Sequence, residues 1–197
     1  MEITGVTQHH VEGDLDGSYE PTWIPGYAQA TQEVELFLLE TDAGHTGISA
    51  SPSFGGGIDY AEPLELFLVG EDPHDVGKIR RKLETVNLLG PRPWHVEVAL
   101  WDLVGKDAGK PVYELLGGTG RPIRAYASTG ERQPADERLA YVEERVAEGF
   151  SAVKLRFGPD PAEDLEVARR IREEYPELTF MVDGNMGWCV RVFEDRP

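Results

Sequence analysis

Lys154 and Arg156 stand two residues apart in the run FSAVKLRFG (150–158), between apolar Val153, Leu155 and Phe157. Side chains alternate across a β-strand, so in that conformation both cations point the same way. Asp183 and Asn185 close a second run of strand character, LTFMVDGN. Neighbouring strands lie about 4.8 Å apart, so a carboxylate and two cations near the ends of adjacent strands can converge on one small site. Such a group can be a structural ion pair. It can equally be a working site, because inward-facing charges are costly to desolvate unless paired or used. LRFGPDPAED carries neither the dinucleotide fingerprint nor a Walker lysine, which weighs against a doubly wound nucleotide-binding sheet.

The elements that must position these groups are legible from Arg121 onward. PIRAYAST is a candidate strand. QPADERLAYVEERVAEG follows as a helix, with Pro134 near its start, Leu139, Val142 and Val146 on its inner face and Gly149 at its end. SAVKLRF is the next strand. In DPAEDLEVARRIREEYP, Asp160 can cap a helix, Pro161 suits its first turn and Glu163 completes a capping-box spacing. Leu165, Ala168 and Ile171 are expected to face inward. With LTFMVDGN the order is β-α-β-α-β, which predicts parallel strands with right-handed crossovers. In such folds the chemistry sits at the carboxyl ends of the strands.

The first half of the chain reads differently. TQEVELFLLETDAGHTGISAS predicts two strands joined by a turn, with Val34, Leu36 and Leu38 alternating with Glu33, Glu35 and then Phe37. Helical spacing follows: Val76, Ile79, Leu83 and Val86 share one face, and Val96, Ala99, Leu100 and Leu103 another. KPVYELLGG predicts one more short helix ended by Gly117 and Gly118. Strands followed by helices indicate an α+β domain. We therefore expect an α+β domain over residues 1–120 and a β/α domain over 121–197.

Composition narrows the partners. The chain has 197 residues, 40% of them hydrophobic, and a net charge of −17. That acidity repels nucleic-acid phosphates and anionic membranes, and there is no apolar run long enough to span a bilayer. The N-terminal residues lack the basic and apolar regions of a signal peptide. The single cysteine, Cys189, excludes an internal disulfide and fits a reducing cytoplasm. The scattered acidic residues suit either an ordinary solvated surface or a salt-rich, halophilic cytoplasm in which screening relieves self-repulsion.

Three stretches in order, VEVALWDLVGKDAGKPVYELLGG (96–118), AVKLRF (152–157) and FMVDGNMGW (180–188), resemble the mandelate racemase and muconate lactonizing branch of the enolase superfamily. The first resembles the helix and linker closing that family's capping domain. The second resembles its Lys-x-Lys/Arg motif on the second barrel strand, and the third its Asp-x-Asn motif on the third. The resemblance implies an α+β capping domain followed by the first part of a (β/α)₈ TIM-type barrel. It also implies Mg²⁺-dependent removal of a proton α to a substrate carboxylate, with the enediolate stabilised by the metal. Asp183 would then be the first metal ligand, since Mg²⁺ prefers hard carboxylate oxygen. Lys154 and Arg156 would flank a small carboxylate substrate, with Asn185, Trp23 and Tyr27 as further substrate-binding groups. SYEPTWIPGYAQ, which carries Trp23 and Tyr27, and SPSFGGG resemble the two capping-domain loops that cover the substrate; each aromatic could equally be a packing residue.

Two departures matter. Arg156 stands where many relatives carry a second Lys, often the base, and Arg is not deprotonated in proteins. The base is then Lys154, or a Lys or His–Asp dyad on a later strand. A barrel of this kind needs about 250 residues, so residues 121–197 cover about three of its eight strands. The second and third carboxylate ligands would lie on strands beyond these. On this reading the chain is a shortened form, expected to show little turnover alone. Homo-oligomerisation would bury its open faces. A non-catalytic relative serving as a structural or oligomerising subunit is the alternative, and an unrelated small α/β binding module a third.

Overall fold

The computed structural model describes residues 1–21, 26–53, 61–86, 94–131, 133–158 and 160–184. They form two compact units: Met1–Asp14 with Thr31–Arg121, and Leu15–Ala30 with Pro122–Pro197.

A sheet whose strands belong mainly to the first unit is ordered β1 (Ile3–Tyr19), β2 (Gln29–Thr41), β3 (Thr46–Pro52). The hairpin expected around TDAGHTG is present: β2 and β3 run antiparallel, with Leu38 opposite Ile48 and Glu40 opposite Thr46. Thr41 closes the turn. Its Oγ1 donates to the His45 carbonyl at 2.9 Å, and Gly44 takes the positive φ of 79° that the turn requires. Helices α1 (Ala61–Leu68), α2 (Val76–Val86), α3 (Trp94–Ala108) and α4 (Val112–Leu115) follow. Ile79, Leu83, Val96, Ala99, Leu100 and Leu103 join Ile3, Phe37 and Leu39 in one core.

The inward face of β2 is not the one that apolar counting selects. Glu35, Phe37 and Leu39 are buried, while Leu36 and Leu38 are only partly so. Glu35 tolerates burial because its carboxylate is satisfied: Oε2 accepts from Gln8 Nε2 at 2.9 Å, and Oε1 lies 2.8 Å from His10 Nδ1.

α3 lies hard against β3 at Gly47. A Cβ there would stand 2.4 Å from the Ala99 carbonyl oxygen and 2.6 Å from Leu103 Cγ. Gly47→Ala must push the helix off the sheet. It is expected to cost about 2 kcal/mol, the usual range for overpacking, read as a fall in the urea midpoint with an unchanged slope. An unchanged midpoint would mean that the helix and strand are not held this closely.

The second unit contains β4 (Ala127–Ser128), α5 (Ala135–Ala147), β5 (Ala152–Arg156), α6 (Pro161–Glu174) and β6 (Thr179–Asp183), with the strands ordered β4-β5-β6 and all parallel. α5 ends in a Schellman arrangement. Gly149 at φ 97° donates to the Val146 carbonyl, and Phe150 to that of Arg145. α6 begins as expected, with the Asp160 carboxylate accepting from the amides of Ala162 and Glu163 and Pro161 at the first position. Val153, Leu155 and Phe157 pack with Val142, Val167 and Ile171.

Two local expectations fail here. The ladder of the first strand is confined to Ala127–Ser128 instead of spanning PIRAYAST. Pro122 has no N–H to donate, and Ile123 is 92% exposed. Leu165 faces outward at 69% exposure, and the inner stripe of α6 runs through Asp164, Val167 and Ile171. Asp164 takes the inner position because it is paired with Arg138 on α5.

The architecture is thus an α+β capping domain followed by the beginning of a parallel β/α barrel. Among the described residues no helix is long and apolar enough to cross a membrane.

Candidate active site

β5 sends Val153, Leu155 and Phe157 into the core beneath the helices and turns Lys154 and Arg156 to the opposite face. β6 is in register with it: Lys154 is opposite Met181, and Arg156 opposite Asp183. The parallel ladder therefore delivers the Asp183 carboxylate to the cation-bearing face at the carboxyl end of the strands. Lys154 Nζ lies 3.0 Å from Asp183 Oδ2, and Arg156 Nη1 donates to the same oxygen. The side chains are 21% (Lys154), 16% (Arg156) and 27% (Asp183) exposed, so they are shielded yet open to a small solute.

The neighbours fix the two cations unequally. Arg156 Nε donates to the Thr129 carbonyl at 3.1 Å, and its backbone N–H donates to Thr129 Oγ1 at 3.0 Å. With Nε on Thr129 and Nη1 on Asp183, the guanidinium is anchored at two points of its planar fork. Lys154 Nζ sits 5.6 Å above the Tyr126 ring, a cation–π contact that leaves the ammonium more freedom. Among the described residues, both cations meet this one carboxylate.

Tyr19 adds an edge to the same unit. Its hydroxyl donates to the Gly130 carbonyl at 3.2 Å, and a Cβ at Gly130 would stand 2.5 Å from that hydroxyl. Burial pushes the Tyr19 phenol up from its ordinary pKa, and Arg156 pulls the other way.

Thr129, Tyr126 and Tyr19 were not among the residues expected from sequence. Thr129 and Tyr126 flank β4; they have opposite parity along RAYAST, so counting alternate positions raises Tyr126 but not Thr129. Tyr19 ends β1, a strand whose polar second half gives no pattern to follow. Tyr27 is 53% exposed. Trp23, Asn185 and Cys189 lie outside the described residues.

Asp183 offers one hard oxygen ligand of the kind Mg²⁺ takes. Among the described residues no three His, Cys, Asp or Glu side chains are gathered to hold a metal. The donor set therefore fits Mg²⁺ at one coordination position.

Comparison with known proteins bears on both units. The profile of the "Mandelate racemase / muconate lactonizing enzyme, N-terminal domain" matches residues 16–117, and that of the "Enolase C-terminal domain-like" family matches residues 137–193. The chain is 31% identical over 211 residues to the D-galactarolactone cycloisomerase of Agrobacterium fabrum, covering 96% of this chain and 53% of that protein. It is 33% identical over 186 residues to the L-talarate/galactarate dehydratase of Salmonella typhimurium, covering 84% of this chain and 46% of the other. Among solved structures, L-talarate dehydratase from Polaromonas sp. JS666, complexed with Mg and L-glucarate, superposes with a TM-score of 0.82 at 26% identity. That match covers 98% of this chain and 58% of the other. The chain spans about half the length of the curated relatives it matches. These relatives are lyases and isomerases. With its capping sheet and helices, its parallel strands and these matches across both units, the chain belongs to the mandelate racemase / muconate lactonizing enzyme family of the enolase superfamily.

Proposed function

We propose that the Lys154–Arg156–Asp183 face is part of the active site of an Mg²⁺-dependent enzyme that abstracts the proton α to a carboxylate. Acid-sugar dehydration is the leading reaction, with racemisation or cycloisomerisation close behind. The observation that carries this reading is the convergence of both cations on one oxygen of Asp183, at the carboxyl end of adjacent parallel strands. Similarity to sugar-acid dehydratases and a cycloisomerase supports the substrate class. A relative solved with Mg and L-glucarate supports the metal.

The roles divide by side-chain chemistry. Asp183 is one Mg²⁺ ligand, and the further ligands come from strands that the longer relatives possess. Bound there, the dication supplies positive charge where negative charge develops on the substrate carboxylate. Arg156, held by Thr129 and permanently charged, orients and neutralises that carboxylate. Lys154, less tightly anchored, is the proton acceptor. Asn185, Trp23 and Tyr27 contribute substrate contacts. We also propose, from composition, a salt-rich cytoplasm in which screening offsets the charge of −17, and a homo-oligomer.

The test is Mg²⁺-dependent incorporation of deuterium from D₂O at the α-carbon of sugar acids and hydroxy acids. It is run on a polypeptide in which this chain is continued by the remaining barrel strands, with the 197-residue chain as the comparison. We expect exchange with at least one sugar acid that stops on chelation of the metal. No exchange across the panel would overturn the proposal.

A further inference from the structure

Two deeply buried charges of the second unit lie outside the face just described. Arg138 on α5 and Asp164 on α6 are 4% and 5% exposed, and Arg138 Nη1 donates to Asp164 Oδ1 at 2.5 Å. Nη2 of the same guanidinium donates to Glu163 Oε2 at 2.9 Å. Glu163 Oε1 in turn accepts from the amide of Ala135, the first residue of α5, at 3.1 Å. Glu163 thus spends its carboxylate across the helix pair. The second oxygen of Asp164, Oδ2, accepts from the backbone N–H of Gly158 at 2.9 Å. Arg138 also stands 5.9 Å over the Phe157 ring. The first turns of α5 and α6 and the segment leaving β5 therefore meet at one buried ion pair.

Stability alone does not call for charges here, since well-packed apolar residues of equal volume commonly serve as well. What a paired carboxylate adds is direction. Its two oxygens lie in a plane, and each is committed to a different partner. Gly158 is two residues beyond Arg156. One residue before Gly158, the Phe157 amide donates to the Asp183 carbonyl at 3.1 Å. The backbone just past Arg156 is thus pinned from the sheet at Phe157 and from α6 at Gly158. The direction in which the Arg156 guanidinium leaves the strand follows from that pinning.

We propose that Arg138 and Asp164 are positioning residues for the cationic face. Asp164 acts through the Gly158 amide, and Arg138 acts by holding Asp164. Their buried pair sets where the Arg156 guanidinium sits relative to Asp183 and Thr129. The functional weight of this inference rests on the reading of Lys154, Arg156 and Asp183 given above. Its test does not.

The test is nuclear magnetic resonance of the ¹⁵N-labelled 197-residue chain, following the Arg156 Nε–H and the Gly158 amide. The variants are Asp164→Asn, Arg138→Met, Arg138→Lys and, as a control, Arg124→Ala. Arg124 bonds the Ser151 carbonyl and Thr179 Oγ1 at the amino ends of β5 and β6, so its loss loosens the sheet at the far edge. Asp164→Asn and Arg138→Met are expected to displace both signals and to speed hydrogen exchange at Arg156 Nε–H by about tenfold. Arg138→Lys should return the signals toward wild type. Arg124→Ala should lower the melting temperature without moving the Arg156 signal. If Asp164→Asn moves that signal no more than Arg124→Ala does at equal loss of melting temperature, the positioning role is wrong. Should Asp164→Asn not fold, Arg138→Met and Arg138→Lys decide: Met must move the Arg156 signal and Lys must restore it, and failure of either overturns the proposal. Absence of deuterium exchange in the activity assay would remove the catalytic meaning of the face and leave these readouts intact.

Discussion

Lys154→Met is expected to slow Mg²⁺-dependent α-proton exchange roughly 1,000-fold, within the range usual for removing a positioned general base. The loss is about 4 kcal/mol of transition-state stabilisation. The fold should tolerate the change. Met keeps the length of the chain, and Asp183 keeps its bond to Arg156. The Lys154–Asp183 pair is partly solvated, so its removal should cost on the order of 1 kcal/mol. Lys154→Arg separates two origins of the effect. If Lys154 accepts the proton, an arginine that cannot deprotonate leaves the enzyme as slow as the Met variant. If Lys154 serves only as positive charge, Arg restores most of the rate. Near-normal exchange in Lys154→Met would remove the residue from the chemistry and move the base to another strand.

The second large effect is on stability against pH, and its seat is in the first unit. His95, 5% exposed at the start of α3, stacks on Phe37 with ring centroids 3.8 Å apart. Burial drives its pKa down from 6.5 to about 4, against a weaker upward pull from Glu35. The folded imidazole therefore stays neutral where the unfolded one protonates. Above about pH 7 both are neutral and His95 contributes no pH dependence. As pH falls from 6.5 toward 4 the unfolded state gains a proton that the folded state refuses. Stability then drops by about 3 kcal/mol in total.

Glu35 works in the same direction. Its hydrogen bonds with His10 and Gln8 outweigh burial and hold its carboxyl below the ordinary value, so the stability it lends is lost as pH falls. His10 opposes both: Glu35 raises its pKa, and the stability it lends is full at low pH and lost as pH rises. Urea unfolding from pH 8 to pH 4 should show the decline, and His95→Phe should remove most of it. Parallel decline in both proteins would assign the acid sensitivity elsewhere.

Much of the scaffold was legible because its signals are local. Ile79 and Leu83 on α2 and Val96, Ala99, Leu100 and Leu103 on α3 repeat at helical spacing, and all are buried. Asp160, Pro161 and Gly149 mark helix ends by capping chemistry that acts within a few residues. Elements without such signals were missed. β1 was missed whole: after ITGVT it runs QHHVEGDLDGSY, a polar run with no alternation to read. α1 is AEPLELFL, short and with a proline in its first turn.

The misplaced faces share one cause. Glu35 and Asp164 both occupy inward positions that apolar counting denies to a carboxylate. Each is buried because donors far away in sequence meet it. His10 lies 25 residues from Glu35, and Arg138 lies 26 residues from Asp164. Leu165 is displaced outward as a result.

By itself the sequence determined that Lys154 and Arg156 share a face, because side-chain alternation along a strand is a property of the backbone two residues at a time. It also determined the succession of strands and helices in the second unit and where those helices begin. Only the tertiary structure decided that Asp183 would be opposite Arg156, that both cations would meet on one of its oxygens, and that Thr129 would brace the guanidinium. Those contacts depend on the register between strands, and Arg156 and Asp183 are 27 residues apart. Register is selected by the packing of the whole unit, since sliding one strand by a single residue would turn Asp183 to the helix side of the sheet.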